Sequence, residues 1–131
     1  MFKSKGFTII ELVIIIVVLG ILAVAVLYKI GSFKSEAGGI TAVDQVIADI
    51  QYTQMLAMSQ AGQKSITFTS GSNTYNVAGE TKNMPGGVTA ENTITFTFNS
   101  LGEPISGAGQ TVSISGRQIK VWAITGKVEA L

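Results

Sequence analysis

The 131-residue chain has no cysteine, no histidine, two prolines and one tryptophan, and only 13% of its residues are charged. Without cysteine there is no disulfide, no thiol nucleophile and no thiolate metal site. Without histidine the usual general base near neutral pH and the commonest nitrogen ligand for a metal are missing too. Carboxylates do not fill the gap. Asp44 and Asp49 are five apart on a predicted helix and do not share a face, while Glu80, Glu91 and Glu103 stand singly in or near predicted turns. They form no acid-rich loop of the kind calcium requires. Gly86-Gly87 and Gly107-Ala108-Gly109 are not followed by Lys-Ser/Thr and open no helix, so they read as turns rather than phosphate cradles. The composition therefore predicts no enzyme, no metal and no cofactor.

What is present is apolar. Hydrophobic residues make up 47% of the chain, and the mean hydropathy is +0.44. From Ile9 to Leu27 the only interruptions are Glu11 and Gly20. Roughly 20 apolar residues at about 1.5 Å rise span a bilayer core of about 30 Å. A secretory signal peptide has a shorter apolar region, about 7 to 15 residues, and carries no acid, so this run reads as a membrane helix, with a signal peptide as the competing reading because Ala23-Val24-Ala25 imitates a small-x-small cleavage site. Its single carboxylate is costly at that depth, about 2.5 to 3.5 kcal/mol at mid-membrane, which makes Glu11 a functional candidate. Thr8-x-x-Glu11 is also a capping-box pattern, and a first-turn acid meets the positive end of the helix dipole.

Beyond the apolar run, Gly31, Gly38 and Gly39 lie among polar residues and suggest a linker or a kink. Helical periodicity returns from Ile40 to Gln60, with Val43, Val46, Ile47 and Ile50 on one face and Leu56 and Ala57 extending it. After Gly62 the period becomes two. Ile66 and Phe68, a turn at 70–73, then Tyr75 and Val77 make a hairpin. Further strands are predicted at Thr93–Phe98, Thr111–Ser115, Gln118–Ile124 and Lys127–Ala130. The expected fold is α+β: a long N-terminal helix, part transmembrane and part stalk, packed on an antiparallel β-rich head of two sheets. Trp122 sits inside a predicted strand, where tryptophan is more often core than an exposed contact.

The N-terminus, with Lys3, Lys5, Gly6, then Phe7, Thr8, Ile9, Ile10, Glu11 and a continuous apolar stretch containing Gly20, resembles that of type IV pilins and pseudopilins. The resemblance implies that a prepilin peptidase cuts between Gly6 and Phe7 and that Phe7 becomes the N-methylated terminus. It implies that Glu11 of one subunit neutralises the new amine of another during filament growth, and that Gly20 serves helix packing or flexibility. Many filament-forming pilins carry a proline eight residues after this glycine and a C-terminal disulfide. This chain has Tyr28 and no cysteine, which points towards minor components. The implied division is a leader at 1–6, a transmembrane and filament-core helix at 7–27, its periplasmic continuation at 28–62 and a β-rich head at 63–131. Lys3 and Lys5 favour a cytoplasmic leader in the inner membrane, an argument weakened by Lys29 and Lys34.

The later text resembles the GspH/FimT family of minor pseudopilins and minor pilins. It does so in DIQYTQMLAMSQ before the first hairpin, in ITFTFNSLGEPISG and in IKVWAITGKVEAL. One branch of that family works in the pseudopilus of type II secretion; the other belongs to type IV pili, and some of its members bind DNA through C-terminal arginines. Here only Arg117, Lys120 and Lys127 are basic in the last strands, and Glu129 stands beside them. Loss of Lys3 and Lys5 would take nine basic residues to seven against eight acidic ones, which argues against a polyanion binder. The expected partners are other pseudopilins or pilins, the prepilin peptidase and the membrane.

Overall fold

The computed structural model describes residues 6–131, apart from the side chains of residues 28–37. The leader lysines Lys3 and Lys5, and the side chains of Tyr28, Lys29 and Lys34, on which the charge and helix-melting expectations rest, lie outside the described residues. One helix, α1 (Ile9–Ser59), precedes all the strands. The chain divides into two compact units, Met1–Lys34 and Ser35–Leu131.

In the second unit α1 buries Ala42, Val43, Val46, Ile50, Thr53 and Ala57, the stripe that its 3.6-residue period predicts. The first sheet has five strands, all antiparallel. These are β1 (Lys64–Phe68), β2 (Thr74–Val77), β3 (Glu80–Asn83), β4 (Ile94–Phe98) and β5 (Pro104–Ser106), in the order β3-β2-β1-β4-β5. The second sheet is β6 (Thr111–Ile114), β7 (Arg117–Val121) and β8 (Val128–Ala130), in sequence order. Alternation sends Ile66, Phe68, Tyr75, Val77, Ile94, Phe96 and Phe98 from the first sheet, and Val112, Ile114, Ile119 and Val121 from the second, into one core with the helix stripe. Phe68 stacks on Tyr75 with ring centroids 5.3 Å apart and meets Phe96 edge-on at 6.4 Å. Burying each phenylalanine stabilises the fold by roughly 1.5 to 3 kcal/mol.

The expected α+β architecture is therefore present, with three local corrections. β3 has no apolar residue and is an exposed edge, so hydrophobic alternation gives no sign of it. Its signal is the two-residue turn Ala78–Gly79, both at positive φ, which is the mirror-image turn that joins twisted strands. β5 begins at Pro104, and proline is tolerated on an edge strand. The strand expected at Gln118–Ile124 stops at Val121. The chain turns after Trp122, and Ile124 takes φ 73°. The outer edge of β6 is closed by Asn92, whose side-chain amide donates to Thr111 O (2.9 Å) and accepts from Ser113 N (2.8 Å).

Gly38 and Gly39 do not break α1, and neither has positive φ. They let the head come close. A Cβ on Gly38 would lie 3.1 Å from Gly86 Cα, and one on Gly39 would lie 3.0 Å from Ser115 Oγ. Gly86 belongs to a short 3-10 turn, Pro85–Gly87.

A polar tie crosses the same interface. Asp49 Oδ1 accepts from Lys82 Nζ at 2.7 Å and Oδ2 from the Tyr75 hydroxyl at 2.5 Å. Gln45 Nε2 donates to the Tyr75 hydroxyl (2.8 Å) and to Asn83 O (3.1 Å). Asp49 is buried and Asp44 exposed, in keeping with a five-residue spacing that puts them on different faces of the helix. Burial first, and then the bond to Asp49, pushes the Tyr75 hydroxyl well above its ordinary 10.0. The bond to Asp49 is the main cause that raises Lys82 above 10.5.

This interface is testable at two points. Gly86→Ala puts a Cβ 2.7 Å from Gly38 Cα at φ 70°, whereas Gly87→Ala at φ 69° meets nothing within 4 Å. Gly87→Ala is expected to cost only the left-handed conformation, about 1 to 2 kcal/mol, and Gly86→Ala a further 1 kcal/mol or so from overlap. Urea denaturation of both variants checks the difference. The second point concerns alkali. Tyr75 and Lys82 hold their protons more tightly in the folded state, so their contribution is complete below about pH 10 and is lost as pH rises through the folded values. Stability measured against pH should fall above that point, and Lys82→Met or Tyr75→Phe should flatten the fall.

Candidate functional site

Two regions carry the candidates singled out by sequence: the start of α1 and the second sheet. At the start of α1, Thr8 is the N-cap. Its carbonyl accepts from Glu11 N and Leu12 N, each at 3.1 Å, and its Oγ1 accepts from Glu11 N at 3.3 Å. Only this half of the capping box forms: among the described residues the Glu11 carboxylate has no hydrogen-bond or ion-pair partner. Local capping thus occupies Glu11's backbone and leaves its side chain unengaged. Phe7 is 72% exposed. Ile9–Leu27 forms a 19-residue stretch of mean hydropathy 3.3 with none of it buried. A Cβ at Gly6 or Gly20 would meet nothing within 4 Å. No contact among the described residues requires glycine at either position.

In the second sheet the three basic candidates do not converge. Register pairs Thr111 with Lys120 and Lys120 with Glu129, which puts these residues on one face, whereas Arg117 shares the parity of the buried Ile119 and Val121. Lys127 Nζ pairs with Glu129 Oε2 at 3.2 Å. That bond, with a second from Trp122, holds the Glu129 carboxyl below its usual range. A carboxylate therefore stands among the cations where a phosphate would have to sit.

Trp122 is not core. It is 41% exposed just beyond β7; its Nε1 donates to Glu129 Oε2 at 3.1 Å, and Lys120 Nζ lies 4.1 Å from its ring centroid. The alternation is the signal that finds it: Val121 points in, so Trp122 points out. The loop that follows is held by Gln54 Nε2, which donates to Gly102 O (2.7 Å) and Thr125 O (3.3 Å). No sequence pattern identifies Gln54. The remaining candidates are structural. Glu91 accepts from Gly116 N at 2.6 Å and Glu103 from Asn99 Nδ2 at 2.9 Å. Gly107 lies against the Phe96 ring, where a Cβ would come within 2.6 Å.

An apolar N-terminal helix followed by antiparallel five- and three-stranded sheets is an α+β architecture of the pilin-like kind. Residues 1–27 match the family model of the prokaryotic N-terminal methylation motif. Residues 1–27 thus carry a type IV pilin-like prepilin signal, which indicates a pilin-like or pseudopilin subunit and implies processing by prepilin peptidase and assembly with other pilins, and the apolar helix that follows is long enough to anchor the chain in a membrane. Comparison with curated proteins and with solved structures yields no match to this chain.

Because Gly20 meets no neighbour among the described residues, Gly20→Ala should leave folding of the purified protein unchanged or raise helix stability by up to about 1 kcal/mol. If filament formation falls in the same variant, as electron microscopy of sheared material would show, the glycine is used between subunits.

Proposed function

We propose that the protein is a minor pseudopilin of the GspH/FimT family, a structural subunit of a type II secretion pseudopilus rather than an enzyme. The observation that carries the reading is the N-terminus: a prepilin signal whose Glu11 carboxylate has no partner among the described residues, within a fully exposed apolar helix. The protein is held in the inner membrane by 7–27 with its head in the periplasm. Prepilin peptidase cuts between Gly6 and Phe7, and Phe7 is N-methylated. The open surroundings of Gly6 support this, because its lack of a side chain suits an extended backbone in a peptidase. Removal of the leader exposes an amine at Phe7. Glu11 of a neighbouring subunit neutralises that amine as the helix leaves lipid for the filament, and helix-on-helix packing replaces lipid contact.

The absence of cysteine, and the tyrosine at Tyr28 in place of proline, support a minor rather than an abundant subunit. The alternatives are a filament-forming major subunit and a FimT-like minor pilin with a role in pilus assembly or DNA uptake, the DNA contacts of which would rely on Arg117, Lys120 and Lys127. The divergence of Arg117 from the other two, and the Glu129 carboxylate between them, weigh against those contacts.

Glu11→Ala is expected to leave cleavage at Gly6–Phe7 intact and to prevent incorporation into filaments, read by the mass of the mature chain and by the sheared fraction. Normal incorporation would refute the neutralisation role. Crosslinking with mass spectrometry on native membranes separates the systems. Contacts with pseudopilins and an outer-membrane secretin support secretion; abundant self-contacts along a surface fibre, or recovery with DNA, support a pilus.

A further inference from the structure

Three exposed apolar side chains gather where the end of α1 meets two loops of the head. Gln54 Nε2 joins the carbonyls of Gly102 and Thr125. A Cβ on Gly102 would lie 2.9 Å from Met58 Sδ, and one on Gly126 would lie 2.8 Å from Gly102 O, so the loops 99–102 and 122–126 and the last turn of α1 are in contact. Around this tie Leu101 is 73% exposed, Ile124 79% and Met58 47%. Neither loop carries a charged residue.

Ile124 is costly in two ways. Its side chain stands in water, and its backbone takes φ 73° while Thr125 N donates to Ala123 O at 2.9 Å. That is a γ-turn of the rare, strained hand with a β-branched residue at its centre. Glycine or asparagine would suit both the turn and the solvent better. A side chain so exposed adds little to the head's own core, so the fold by itself gives no reason for isoleucine here.

We propose that Met58, Leu101 and Ile124 form a docking point for a second pilin-like subunit held in the same membrane, which meets them with an uncharged apolar surface of its own head. This rests on the reading of the chain as a pilin-like subunit. The area selects the occupant. An exposed aliphatic side chain presents about 100 Å² of apolar surface, so the three offer on the order of 200 Å². A partner arriving free from solution needs about 800 Å² on each side. A partner tethered alongside by its own apolar helix needs much less, because the tether raises its effective concentration. A soluble cargo protein has no such tether. The lack of charge in both loops sets the chemistry of the contact.

The test places a photoreactive benzoylphenylalanine at position 101 or 124 of the full chain in native membranes, and at position 80 on the edge strand β3 for comparison. Mass spectrometry identifies the crosslinked chains and reports cleavage between Gly6 and Phe7. Crosslinks from 101 and 124 to chains that carry a prepilin signal are expected. Ile124→Asn should lower the yield from position 101 about tenfold, while the urea midpoint of the purified chain stays the same or rises as strain is relieved. A lower midpoint would mean that Ile124 serves the fold, and overturns the proposal. Crosslinks from 101 and 124 confined to lipid or to a soluble secreted protein overturn it too. Products with pilin-like chains from position 80 alone overturn the docking point and leave the subunit reading standing; an uncleaved chain with no such product from any position overturns both.

Discussion

A single helix, α1, faces two different surroundings, and the sequence changes character to suit each. Over Ile9–Leu27 every described side chain is exposed and almost all are apolar, which is stable only in lipid or against other apolar helices. From Gly39 onwards one stripe is buried against two sheets and the opposite face carries Asp44, Gln51 and Tyr52. The helix is uninterrupted between Ile9 and Ser59, so its backbone hydrogen bonds are satisfied internally in both settings. What differs is the side-chain code: hydrophobic all round in the first stretch, one-sided in the second.

In the head, the lack of disulfides leaves stability to packing and to the few polar groups that cross the core boundary. Asp49 is the most exacting of these. A buried carboxylate is tolerable only if its lone pairs are met, and Lys82 and Tyr75 meet both oxygens from two adjacent strands. Gln45 extends the tie to Asn83 on the edge strand. The contacts at Gly38 and Gly39 work with this tie, since the helix backbone comes so close to Gly86 and Ser115 that a Cβ at either glycine would push its neighbour by a few tenths of an ångström. The helix is thus held on the head by close backbone approach at one point and by a charged hydrogen-bond cluster at another.

The contrast between what the sequence discloses and what it conceals follows from range. The stripe Val43–Val46–Ile50 and the alternations around Phe68 and Phe96 are local repeats, and they predict helix, strands and core. The Asp49 cluster joins residues 26 and 33 positions apart, and no local pattern specifies that pairing. Gly38 and Gly39 are legible as special but not in their use, because glycine serves bending and close approach equally well. Residue type alone sends Trp122 to the core, although parity with Val121 argues against it. Near the N-terminus the candidate residues lie close together along the chain, so the prepilin signal is legible in the amino-acid sequence itself. Among the described residues no group meets the Glu11 carboxylate.

Its own helix meets only part of what a carboxylate at Glu11 would cost in lipid. A carboxylate in a first helical turn gains about 0.3 to 1 kcal/mol from the helix dipole. Its burial near mid-membrane costs about 2.5 to 3.5 kcal/mol. The dipole therefore offsets only part of the cost, and the capping box does not close the gap, since only Thr8's half of it forms. While Glu11 lies near the membrane surface the cost is reduced by water. In the proposed filament, packing among other helices would end that relief, and a positive charge within reach would offset the remaining cost. Under the proposed role, an amine at Phe7 of a neighbouring copy would supply that charge without adding a lysine that would itself have to be carried through lipid.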